Sequence, residues 1–177
     1  GRQADGEREL GRIASLEGEA ARLAEAIAAE RGQLAAAADA LSRHRRAAAL
    51  TLKGEVEAEI GTLQMENARF EVFFRKLSPE EEREPYREAG VDDGEFYFSA
   101  NPGEEMKPLR AIASGGELSR IMLSLKKVLA RTGSVGTIVF DEVDSGIGGA
   151  TAEIVGQKLK EVARHHQVIC ITHLPQI

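Results

Sequence analysis

The chain has 177 residues, in the range of a single globular domain, and 23 Lys and Arg against 29 Asp and Glu leave a net charge of -6. That balance excludes a surface that is basic throughout, so any contact with DNA has to be a local patch. The single cysteine, Cys170, excludes an internal disulfide framework, and no apolar run approaches the roughly 18 residues of a membrane span, so the sequence reads as soluble, cytoplasmic and without a membrane partner.

The first third is rich in Ala, Glu, Arg and Leu and has no proline before Pro79. From about Glu7 to Leu63 the pattern is helical. Ile13, Ala20, Ile27, Leu34, Leu41 and Ala48 recur every seven residues, with Leu16 and Leu23 as companions, which is the seam of a coiled coil. Gly18, Gly32, Gly54 and Gly61 each weaken such a helix by about 1 kcal/mol relative to Ala. An ordinary amphipathic helix in a bundle is the other reading of the same stripe. Either way it needs a partner surface, and no second helix of this length follows. A coiled-coil arm over residues 1–65 and a compact α/β region over 66–177 are therefore expected.

Residues 69–77, RFEVFFRKL, and 94–100, GEFYFSA, have strand character, and the charged, turn-rich segment between them predicts a hairpin-like pair with a long connection. The acidic run Glu80 to Glu84 reads as a solvated loop or short surface helix. After Pro108 come a helix, a strand, a helix and a strand. Leu118, Ile121, Met122, Leu125, Val128 and Leu129 form one helical face, and GTIVF follows as a buried strand. Ala152, Val155, Leu159 and Val162 form the next face, before QVICIT as a second buried strand holding Cys170 as a small hydrophobe. The result is a βαβ unit, whose C-terminal strand edge is where ligands bind in open α/β sheets.

Three motifs fall at that edge. In SGGELSR, Ser114 and Glu117 have the spacing of a capping box. Gly115 and Gly116 are poor helix formers, and make sense where a phosphate or another backbone must approach the positive end of the helix. In TIVFDEVDSGIGG a strand delivers Asp141 and Glu142 to its end. Adjacent carboxylates there suit Mg2+-dependent phosphoryl transfer, one holding the hydrated metal and the next polarising the attacking water. In ITHLPQI, His173 follows the second strand and should reach the same edge, whereas His44, His165 and His166 read as surface residues.

SGGELSR, then VFDEVDSGIGG about twenty residues on, then ITHLPQI together resemble the C-terminal lobe of ABC-type ATPase heads of the SMC class, and within it the RecN family of bacterial DNA-repair ATPases. The resemblance covers roughly residues 66–177 and implies a fold: the C-terminal lobe of a P-loop ATPase head, a mostly parallel sheet with flanking helices, carried on a long N-terminal coiled-coil helix. It implies that Ser114, Gly115, Gly116 and Glu117 form the signature motif facing the ATP γ-phosphate on a second head. By the same likeness Asp141 is the Walker B aspartate near Mg2+, Glu142 the general base, Asp144 the D-loop aspartate at the dimer interface, and His173 the switch histidine. The implied activity is ATP hydrolysis coupled to DNA binding or bridging in double-strand-break repair and recombination, in a nucleoid-associated cytoplasmic homodimer. No G-x-x-x-x-G-K-[ST] is present. An N-terminal P-loop lobe of the same protein is therefore an expected partner, and the chain alone is expected to be inactive, beginning in the returning arm helix and stopping after the histidine. A chromosome-organising SMC head, or a non-enzymatic coiled-coil interaction module, are the alternative readings.

Overall fold

The computed structural model describes residues 2–75, 77, 85–112, 115–129 and 136–175. Ser114 and the acidic run Glu80 to Glu84 lie outside the described residues. The seven-residue repeat is realised as a 60-residue helix, α1 (Arg2–Gly61). Three strands follow, β1 (Arg69–Phe74), β2 (Gly94–Ser99) and β3 (Lys107–Pro108), then α2 (Gly115–Val128), β4 (Thr137–Asp141), α3 (Gly149–Val162) and β5 (Gln167–Ile171). No helix among the described residues is long and apolar enough to cross a membrane.

The contacts divide the chain into two units, residues 1–44 with 77–91, and residues 45–76 with 92–177. In the first unit the helical stripe faces solvent: Ile13, Leu16, Leu23, Ile27 and Leu34 are all exposed. The second unit begins at Arg45, ahead of the change in composition near residue 65, because the last turns of α1 are core. Val56 and Ile60 are fully buried with Phe70 of β1, Phe98 of β2 and Ile121 and Leu125 of α2.

The mostly parallel sheet expected for the fold is found only in part. β1, β2 and β3 form an antiparallel sheet in that order, with Phe70 opposite Phe98, as the predicted long-connected pair requires. Among the described residues parallel pairing is confined to β4 and β5, with Phe140 level with Cys170 and Asp141 level with Ile171. One face of this pair, carrying Ile138 and Phe140, packs with Leu123 of α2 and Val155, Leu159 and Val162 of α3. The other face is open, with Val139, Ile169 and Ile171 each about half exposed (59%, 48% and 56%). Of the two strands read from the sequence as buried, the described helices cover one face of the pair, and among the described residues nothing covers the second.

An ion-pair cluster joins the end of α1 to both later helices. Lys127 of α2 donates to Glu59 at 2.8 Å, Lys158 of α3 to the other Glu59 oxygen, and Lys127 also pairs with Glu161 at 3.0 Å. Burial alone would raise the Glu59 pKa, but the bonds from Lys127 and Lys158 outweigh it and hold the carboxyl below its ordinary range. Lys127 responds oppositely: burial disfavours its charge, and bonds to Glu59 and Glu161 lift its pKa above the usual lysine value. His166, read from its polar turn as a surface residue, is 8% exposed, and its amide donates to the Val162 carbonyl as the chain leaves α3. His44 and His165 are exposed as expected.

Candidate functional site

Because β4 and β5 run parallel and in register, Asp141 and Ile171 end level, and the loops after them leave the same edge of the sheet. The first loop turns at once. Glu142 takes a left-handed backbone (φ 55°), a conformation that costs a non-glycine residue of order 1 kcal/mol or more. The Ser145 amide then donates to the Glu142 carbonyl at 3.0 Å, and the Ile147 amide to the Asp144 carbonyl at 3.2 Å. Gly146 (φ 72°) completes the turn into α3. Both Asp141 and Glu142 are exposed at this edge.

Asp144 is not at the surface. Its residue exposure is 1%, and one carboxylate oxygen, Oδ2, accepts from the Thr172 hydroxyl at 2.6 Å, the His173 amide at 2.9 Å and the Leu174 amide at 3.2 Å. The His173 ring lies beside the same oxygen, Nδ1 to Oδ2 3.1 Å, while 75% of the His173 side chain remains exposed. Burial would raise the Asp144 pKa, but the Thr172 bond and the backbone amides of His173, Asp144 and Leu174 overcome it and keep the carboxyl below its ordinary value. The turn after Glu142 directs the Asp144 carboxylate inward, onto the loop that follows β5. Cys170 is half-buried, and burial, followed by the charges of Asp144 and Asp141, raises its thiol pKa, which fits a packing role and not a thiolate.

The signature-like segment lies against the first loop. A Cβ added to Gly115 would stand 2.5 Å from Glu142 Oε2, and one added to Gly116 would stand 2.7 Å from Ser145 Cβ. Close approach therefore does require these glycines, and what approaches them here is the acidic loop of the same chain. Ser119 donates to the Asp141 carbonyl, and Arg120 Nη1 donates to the Ser145 carbonyl at 2.7 Å. Arg120 is 9% exposed; burial lowers its pKa against the opposing charge of Glu117, and its Nε has no partner among the described residues. Glu117 is half-buried.

Asp141, Glu142, Asp144 and His173 are thus brought together, with Gly115, Gly116 and Glu117 beside them. Sequence reasoning missed Ser119, Arg120 and Thr172. The spacing of Gly116, Arg120 and Ser124, four residues apart on one helical face, marked an inward side that could have identified the arginine. No group of three or more His, Cys, Asp or Glu among the described residues is arranged to hold a metal. The exposed carboxylate of Asp141, beside that of Glu142, is a donor of the kind Mg2+ takes, since that ion is commonly held by one or two protein carboxylates together with water and substrate phosphates.

No family model matches the chain. It is similar to the DNA repair protein RecN of Halalkalibacterium halodurans, 44% identical over 138 residues that make up 78% of this chain and 24% of that protein. The DNA repair protein RecN of Treponema pallidum is 46% identical over 145 residues, 82% of this chain and 25% of that protein. Among solved structures, an Smc head domain with a coiled coil and joint from Pyrococcus yayanosii aligns with TM-score 0.47 and 22% identity, over 73% of this chain and 22% of that one. The chain spans about a quarter of the length of the curated relatives it matches.

Proposed function

For a chain homologous to a stretch of the DNA repair proteins RecN, we propose the role of a half-site in an ATP-hydrolysing head that serves DNA double-strand-break repair and recombination. The observation that carries this reading is the convergence of Asp141, Glu142 and His173 on one edge of the β4–β5 pair. Glu142 orients and polarises the attacking water as general base, and His173 contacts the γ-phosphate. Asp141 holds Mg2+, which when bound neutralises charge on the phosphate oxygens. Ser114, Gly115, Gly116 and Glu117 meet the nucleotide of a second head through the N-terminal end of α2, where the helix dipole favours an anion.

Two surfaces support the proposed partners. The open face of β4 and β5, with Val139, Ile169 and Ile171, has the apolar character of a strand pair whose other layer comes from elsewhere, here the P-loop lobe of the same protein. The exposed stripe from Leu10 to Leu41 has the spacing of a coiled-coil seam. ATP and Mg2+ are the ligands, and a second head and DNA the further partners, in a cytoplasmic protein. The domain reading that accompanies this is an arm in residues 1–65 and a head lobe in 66–177.

The test is ATP turnover by the whole protein, P-loop lobe included. Glu142→Gln is expected to lower turnover by on the order of 100-fold or more with nucleotide binding retained. Equal turnover in wild type and variant would remove the general base from the proposal. Ser114→Arg is expected to abolish turnover and spare ATP binding, since the signature segment acts on a nucleotide held by another head. Association of the lobes that ignores nucleotide would favour the non-enzymatic coiled-coil module instead.

A further inference from the structure

We infer that Ser119 and Arg120 are positioning residues for Glu142: from adjacent places on α2 they hold the two ends of the turn that carries it. The Ser119 hydroxyl donates to the carbonyl of Asp141, the residue before Glu142. Arg120 Nη1 donates at 2.7 Å to the carbonyl of Ser145, which lies beyond it. Between these ties the turn closes on itself, the Ser145 amide donating to the Glu142 carbonyl at 3.0 Å. Glu142 sits at φ 55°, and a residue with a side chain keeps that backbone only where its surroundings hold it there. Both ties come from one helix, which is itself anchored in the cores through Ile121, Leu123 and Leu125.

Burial and charge set the Arg120 tie apart from an ordinary surface contact. The residue is 9% exposed, and a guanidinium that donates to a carbonyl makes a charge-assisted bond, shorter and stronger than a neutral one. Gly116 leaves the space in which it forms, since a Cβ there would stand 3.3 Å from Arg120 Nη1 and 2.7 Å from Ser145 Cβ. The same helical turn meets the Glu142 side chain, whose Oε2 would stand 2.5 Å from a Cβ on Gly115. Asp144 secures the turn from the other side, through its bonds to Thr172, His173 and Leu174. The start of α2 thus fixes the backbone from which the Glu142 carboxylate projects. That this carboxylate acts on a water rests on the ATPase reading. That the ties hold the turn does not.

The experiment uses the whole protein, P-loop lobe included. It measures ATP turnover and, without nucleotide, the amide hydrogen exchange of residues 141–147 by mass spectrometry. Ser119→Ala and Arg120→Ala are expected to speed exchange in that segment and to lower kcat by about 10-fold and about 100-fold, the scale on which a displaced catalytic group loses rate, with KM for ATP unchanged. Ser119→Thr keeps the hydroxyl and should restore both readouts. Should Arg120→Ala fail to fold, Ser119→Ala still decides, since it removes one oxygen from a half-buried side chain. The sharpest comparison places Ser119→Ala in a Glu142→Gln background. A residue that acts through Glu142 has nothing left to position there, so the further loss of turnover should stay within about twofold. Exchange or turnover unchanged in Ser119→Ala, or an equal loss in both backgrounds, overturns the proposal. Full turnover in Glu142→Gln instead removes the general-base reading, and faster exchange in Ser119→Ala then upholds the ties by themselves.

Discussion

One continuous helix carries two kinds of surface. Along residues 2–44, Leu10, Ile13, Leu16, Leu23, Ile27 and Leu34 are exposed at between 46% and 68%, although they repeat as regularly as any core stripe. Along residues 45–61, Val56 and Ile60 are at 0% and Glu59 is engaged by two lysines. Helical periodicity is present in both, so periodicity alone says that a face is apolar and not whether this chain covers it. The covered part stabilises the fold of the second unit, and the uncovered part is available to a partner.

That contrast can be broken by substitution. The largest effect is expected for Phe70→Ala, which opens a cavity among Val56, Ile60, Phe98 and Ile121 and should destabilise by about 3–5 kcal/mol in urea denaturation. Glu59→Ala should come next. It leaves Lys158, 5% exposed, as a buried cation without its carboxylate, at about 1–3 kcal/mol once the partial exposure of Glu59 is allowed for. A Glu59→Ala protein as stable as wild type would show that the cluster does not hold α1 to α2 and α3.

The pH dependence sharpens the same point. Glu59 and Asp144 have depressed folded-state pKa values, so their stabilisation is present above the ordinary carboxylate range and is lost as pH falls through the folded values. Lys127 is shifted upward, so its contribution is present below the ordinary lysine range and is lost as pH rises through the folded value. Thermal melts across pH should fall away at both extremes in wild type. The acid limb should be shallower in Asp144→Ala, and the alkaline limb shallower in Glu59→Ala. The smallest effect is expected for Leu23→Ala, within about 0.5 kcal/mol when this chain is studied without other segments. A loss matching that of Phe70→Ala would mean that the stripe is already covered.

Much of the fold was legible because its signals are local. The seven-residue repeat specified α1, the three-and-four spacing of Ala152, Val155, Leu159 and Val162 specified the buried face of α3, and two short β-branched runs joined by a helix specified a parallel pair. The parallel register then carried Asp141, Glu142 and His173 to a common edge without any knowledge of side-chain contacts. The open side of that pair escaped the reading, because an apolar strand looks the same in sequence whichever segment covers it.

What the sequence by itself determined is therefore the order of elements, the apolar face of each helix and the convergence of three motifs, all of which follow from periodicities of two and 3.6 residues along a single segment. Only the tertiary structure decided that Asp144 turns inward to Thr172 and His173, that Gly115 makes room for Glu142, and that Glu59 meets lysines 68 and 99 residues away. These contacts join positions that no local pattern relates, and they exist because packing brings the loops and helix ends together and leaves their polar groups each other, in place of water, as partners.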